Sequence, residues 1–175
     1  MVIVDQFTKW TEAYGIPSQD AEITAKTFVE EFVTRFGTPL ELHTDQGRNF
    51  ESELFKNVCK LLDIAKTMTT PYDPSSNGLV ERFNRTLLQM IRCYCDQGQK
   101  DWDCHLPYLT AAYRSTPHST TGITPNRLML GREVYRTEAI VYGVVKANKQ
   151  SEDQQSYLEP LMKPWRKITI SQGRH

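Results

Sequence analysis

The chain has 175 residues, of which 39% are apolar and 24% charged, and its 21 Lys and Arg balance 21 Asp and Glu. That is room for one domain with a core and a tail, and it excludes a fibrous, low-complexity or strongly basic nucleic-acid module. No apolar run is long enough to span a membrane, and the Met-Val-Ile-Val-Asp opening has neither part of a signal peptide, so the expectation is a protein neither secreted nor membrane-bound.

VIVDQFTKW and TEAYGIP predict two short strands joined closely, with Val2 and Val4 alternating. Ser18 or Asp20 can cap a helix in which Ala25, Phe28, Val29, Phe32, Val33 and Phe36 form one apolar stripe, and Gly37 and Pro39 stop it. LELHTD predicts a strand and DQGRN a turn. Leu54, Phe55, Val58, Leu61 and Leu62 mark a second helix, from Ser52 to about Asp63. AKTMTT is a weaker strand and PYDPSSNG a loop. A third helix runs from near Gly78 to about Asp96, with Phe83, Leu87, Met90, Ile91 and Tyr94 on its buried side and Glu81, Arg85, Gln89 and Arg92 opposite. DWDCHLPYLTAAYRST predicts another helix, and TPNRLMLG one more helical turn. Beyond Arg136 the patterning fades, and residues 146–156 are almost wholly polar, as in a linker or disordered segment. The order of elements predicts an α/β fold, a mixed sheet with helices on its faces.

The charge is unevenly spread. Residues 1–63 carry a net of −5, residues 64–136 a net of +3 and residues 137–175 a net of +2. A polyanion contact is therefore expected in the second half. Cys59, Cys93, Cys95 and Cys104 contain no CxxC pair and read as free thiols of a reducing compartment. A zinc site from Cys104, His105 and His118 is the alternative, without paired ligand spacing.

Two carboxylates sit where chemistry is expected. Asp45 ends a strand just before a Gly turn, and Glu81 opens a helix just after a Pro-Ser-Ser-Asn-Gly loop. Both would project at the lip of the sheet, where ligands of open α/β folds bind. Carboxylates converging there can hold Mg²⁺, and two such ions can clamp the oxygens of an in-line phosphodiester displacement. Each also has a purely structural reading: Glu in a first helical turn suits the macrodipole, and Asp before Gly is turn chemistry.

HTDQGRNF at 43–50 and PYDPSSNGLVERFNRTL at 71–87, with 35 residues between Asp45 and Glu81, together resemble the catalytic core of retroviral integrases, most of all those of gypsy-type long-terminal-repeat retrotransposons. VDQFTKWTEA at 4–13, AYRSTPHSTTGITP at 112–125 and LMLGR at 128–132 resemble the same family in the same order. The resemblance covers roughly residues 1–136 and leaves 137–175 as a C-terminal tail.

The resemblance implies a ribonuclease-H-like sheet with an Asp, Asp, Glu triad, of which Asp45 and Glu81 are the second and third members, both catalytic and both ligands of Mg²⁺ or Mn²⁺. It implies that Tyr72, Asn77, Asn84 and Arg85 approach DNA, Arg85 as a phosphate contact, against the alternative of an ion pair with Glu81. His43 is expected as a packed strand residue. The family's first Asp lies on a strand upstream of the block matched by VIVDQFTKW, so Asp5 corresponds to a strand-ending residue and not to that carboxylate. The expectation is a sheet lacking its first, central strand, and a chain inactive in Mg²⁺-dependent strand transfer. DNA and a homo-oligomer are the implied partners, in a nuclear or cytoplasmic setting. The alternatives are a domesticated, non-catalytic module binding nucleic acid or protein, an incomplete gene product, and a ribonuclease-H-type hydrolase.

Overall fold

Val2 and Val4 face one way and Ile3 the other, and that alternation makes β1 (Val2–Asp5) the divider between two apolar cores. The computed structural model describes residues 1–69, 78–94, 101–134 and 167–171. β2 (Thr11–Ala13) returns antiparallel to β1, with Val4 opposite Thr11. β3 (Glu41–Thr44) and β4 (Ala65–Met68) pair in parallel, and the weaker strand signal of AKTMTT corresponds to a largely exposed edge.

Between β1 and β3 lies β5 (Lys167–Ser171), so the sheet runs β2-β1-β5-β3-β4. It is antiparallel to β1, with Val2 opposite Ser171, and parallel to β3, with Leu42 opposite Ile168 and Thr44 opposite Ile170. The mixed sheet flanked by helices is as expected, but its centre is not open. A strand from within 137–175, the stretch expected as a tail, occupies the position expected to lack one. The physical reason is plain. An open slot would leave two rows of N–H and C=O groups buried and unpaired, at a cost of about 1–3 kcal/mol each. The Ile-Thr-Ile alternation of β5 supplies partners for both rows and buries Ile168 and Ile170 completely. Residues 135–166 and 172–175, including the polar stretch 146–156, lie outside the described residues.

On one face, α1 (Ala21–Thr27), a π-helical stretch (Phe28–Val33) and α2 (Thr34–Phe36) make the single apolar-striped segment expected. Phe28 and Phe32 are fully buried, with stacked rings 5.9 Å apart, and Gly37 at φ +83° ends the segment. α3 (Glu53–Leu61) starts where Ser52 Oγ accepts from Phe55 N–H at 3.1 Å. These helices enclose Ile3, Leu42, Phe50, Phe55, Ile168 and Ile170. On the other face, α4 (Gly78–Tyr94) and α5 (Trp102–Arg114) pack Val80, Phe83, Leu87, Leu106 and Leu109 against Val2 and Val4. α6 (Pro125–Leu130) is capped by Thr124 and closed by Gly131 in the left-handed region.

Candidate functional site

Asp45 follows the last residue of β3, at the carboxyl end of a parallel strand. Its Oδ1 accepts from Gly47 N–H at 3.0 Å, which turns the chain away from the sheet. A Cβ at Gly47 would stand 2.9 Å from that same Oδ1 and 2.7 Å from Asn49 Oδ1, so any larger residue would push both side chains out of their hydrogen bonds. Asn49 Nδ2 donates to Thr24 Oγ1 at 3.2 Å, and Phe50 is buried in the core. In the DQGRNF block, then, Gly47, Asn49 and Phe50 are the frame and Asp45 is what the frame presents.

His43 is buried, and its ring lies 2.9 Å from Thr67 Oγ1 and 3.1 Å from Thr69 Oγ1 on β4 and just beyond it. That is the packed strand residue expected.

Glu81 lies in the first turn of α4 and is exposed. Arg85, one turn on, is exposed too, and among the described residues the Glu81–Arg85 ion pair that the i,i+4 spacing allows is not formed. Asn84 is half-buried, and its Nδ2 donates to Ser171 Oγ at 3.0 Å. Tyr72 and Asn77 lie outside the described residues.

Asp5 is at the other end of the sheet. It pairs with Ile168, whereas Ser171 pairs with Val2, so about 10 Å of strand separates the two levels at roughly 3.3 Å per residue. Asp5 Oδ2 accepts from Thr8 N–H at 2.6 Å and Thr8 Oγ1 at 2.5 Å. Burial pushes the Asp5 carboxyl up, and the two Thr8 bonds pull it part of the way back. Asp5 ends its strand and holds the β1–β2 turn, as expected.

Among the described residues, no three His, Cys, Asp or Glu side chains gather as a metal-binding group. The alternative zinc set is not assembled. His105 instead sits 3.0 Å from Asp101 Oδ2, and His118 Nδ1 accepts from Thr120 N–H at 3.2 Å. Cys59, Cys93 and Cys104 are free thiols. Ser171 is the residue the sequence reading missed. Its signal was the β-branched alternation of Ile168, Thr169 and Ile170, obscured by the unpatterned stretch before it. No described helix is long and apolar enough to cross a membrane.

Comparison with known proteins bears on this arrangement. Residues 1–74 match the family model of the integrase core domain. The chain is similar to the Pol polyprotein of radiation murine leukemia virus (strain Kaplan), 37% identical over 132 residues that make up 75% of this chain and 22% of that protein. The chain thus spans about a fifth of the length of that relative. Among solved structures it resembles the catalytic core domain of BIV integrase, with a TM-score of 0.61 and 29% identity over 81% of this chain and 88% of that one. The HTLV-2 integrase catalytic core domain in complex with magnesium (trimeric form) shares the fold, at a TM-score of 0.58 and 22% identity over 71% of this chain and 79% of that one. The sheet and its flanking helices are those of the ribonuclease-H-like integrase catalytic core.

Proposed function

We propose that this chain is an integrase core of gypsy-type retrotransposon descent, whose parent reaction is strand transfer, and that the 175-residue chain is itself inactive or nearly so. The observation that carries the reading is an integrase-core sheet with Asp45 at the carboxyl end of a parallel strand. In the parent reaction a DNA 3′-hydroxyl attacks a target phosphodiester, so one P–O bond forms as another breaks. Mg²⁺ or Mn²⁺ would supply charge stabilisation to both oxygens. Asp45 and Glu81 are the ligands this chain offers. Among the described residues no third ligand joins them, and two carboxylates do not make the donor set of that clamp, so no metal-assisted step is assigned to the chain.

DNA contact belongs to the same proposal. Arg85 is exposed on α4, where a phosphate could meet it, and Arg82 and Arg92 are exposed on the same helix. Beyond its bond to Ser171, Asn84 has a second N–H and a carbonyl with which it would meet DNA. Tyr72 and Asn77 are proposed as further DNA contacts. A homo-oligomer acting on DNA, in a nuclear or cytoplasmic setting, completes the reading. The second reading, a non-catalytic nucleic-acid- or protein-binding module, is favoured in its DNA-binding form by the exposed arginines of α4.

The test is end-labelled duplex DNA incubated with the purified chain and Mg²⁺ or Mn²⁺. Salt-sensitive binding without nicking or joining is expected, weakened by changing Arg82, Arg85 and Arg92 to Ala. Metal-dependent joining or nicking that disappears in Glu81→Gln would overturn the proposed inactivity. Binding unchanged in the triple-Ala variant would remove α4 as the contact surface.

A further inference from the structure

β3 and β5 are parallel neighbours, with Thr44 opposite Ile170. One residue further along each strand brings Asp45 and Ser171 to the same level, about 5 Å apart at the ordinary strand spacing. Both therefore stand at carboxyl ends of adjacent parallel strands, the lip where open α/β sheets bind ligands. The alternation of β5 buries Ile168 and Ile170 under the α1 and α3 face and turns Thr169 and Ser171 toward α4. There Ser171 is 3% exposed, and its Oγ accepts from Asn84, the residue one turn after Glu81. Ser171 is thus the point where the strand carrying Asp45 and the helix carrying Glu81 meet β5.

We infer that Ser171 is the third corner of the candidate site, and that its neutral hydroxyl keeps the chain from holding a divalent cation tightly. The fold itself is complete there, because β5 fills the centre of the sheet. What is missing is charge. Mg²⁺ favours anionic oxygen ligands and gives up its waters reluctantly. A hydroxyl already engaged by Asn84 offers it one neutral oxygen in place of a carboxylate. A carboxylate at the buried position 171 would stand beside the half-buried Asp45, and a cation between them would relieve the repulsion.

The inference rests on the integrase-core reading for the identity of the site, but its readout is metal-linked stability and needs no DNA, so the two fail separately. Thermal unfolding of the full chain is measured with and without about 10 mM Mg²⁺ or Mn²⁺. Ser171→Asp is expected to unfold earlier than wild type without metal and to gain roughly 5 °C or more with it. Wild type and Ser171→Ala are expected to gain under about 1 °C. Adding Asp45→Asn to Ser171→Asp is expected to abolish the gain. A folded Ser171→Asp without a metal response would overturn the inference, and so would an equal response in wild type. Hydrogen exchange of the wild-type chain decides the case if Ser171→Asp does not fold. Amides of residues 168–171 protected to the level of β1 and β3 support the placement, and fast exchange there sinks it.

Discussion

Arg114 donates to Glu12 Oε1 at 2.6 Å across the seam between α5 and β2, with only 14% of one side chain and 7% of the other exposed. Trp10 Nε1 donates to the same oxygen at 2.9 Å, and the Arg114 guanidinium lies 4.3 Å from the Trp10 ring centroid. Burial lowers the Arg114 pKa, and Glu12 beside it works the other way. One carboxylate thus ties the α5 layer to the outer strand of the sheet.

Removing Arg114 takes away the nearer cation of that carboxylate and leaves it Trp10 Nε1 and the Arg35 guanidinium at 3.8 Å. Arg114→Ala is expected to cost about 1.5–3 kcal/mol in urea unfolding, because the buried carboxylate loses its shortest charge-assisted hydrogen bond. Arg114→Lys keeps the charge but loses the planar fork and the stacking on Trp10, and should fall between the two. A loss for Arg114→Ala below about 1 kcal/mol would show that the pair is solvated after all.

A side chain in the turn that presents Asp45 would displace the carboxylate it presents. Gly47→Ala places a methyl 2.7 Å from Asn49 Oδ1 and 2.9 Å from Asp45 Oδ1. A destabilisation of about 1–3 kcal/mol is expected, with the backbone resonances of residues 45–50 shifted. Spectra superimposable on wild type would contradict the close approach.

β5 gives a sharp contrast between a strand and a dispensable tail. Ile168→Ala and Ile170→Ala should each cost about 2–5 kcal/mol, since both side chains are fully buried. A tail without contacts would cost nothing. Denaturant midpoints of the two variants separate these outcomes.

Burial, then Lys9 and Arg82, lowers the His118 pKa below 6.5. The unfolded chain therefore takes up the proton first. The stabilising preference for neutral His118 is complete at high pH and declines as the pH falls through 6.5 toward the folded midpoint. An NMR titration should place that midpoint below 6.5, and Arg82→Ala should move it upward. An unmoved midpoint in the variant would remove Arg82 as a cause.

Most of the fold was legible because its signals are local. The stripe from Ala25 to Phe36, the helix start at Ser52 and the stop at Gly37 each act within a few residues and appear where expected, whereas Asp20 stands at the start of α1 without a side-chain cap bond. His43 and Asp5 were legible for the same reason, since their partners come from neighbouring strands and turns. The widened π-helical turn at Phe28–Val33 was not, because an i+5 bond leaves the apolar spacing almost unchanged. β5 was not legible because five residues cannot announce which slot they fill. Its identity as the central strand exists only in its pairings with β1 and β3. For the site, the positions of Asp45 and Glu81 could be read from motif and helix start, while Ser171 depends entirely on those pairings.

The contact between Gln6 and Thr169 joins residues 163 positions apart. Loop closure of that length comes before any of the pairing it permits, so folding should be slow for a domain of this size. During synthesis the β1–β2 hairpin and the β3–β4 pair emerge long before the strand that unites them. In that interval β1 and β3 carry bare backbone edges, and any extended segment, from the same chain or another, finds a template there. The later β5 arrives, the longer those edges stay open to a second copy of the chain.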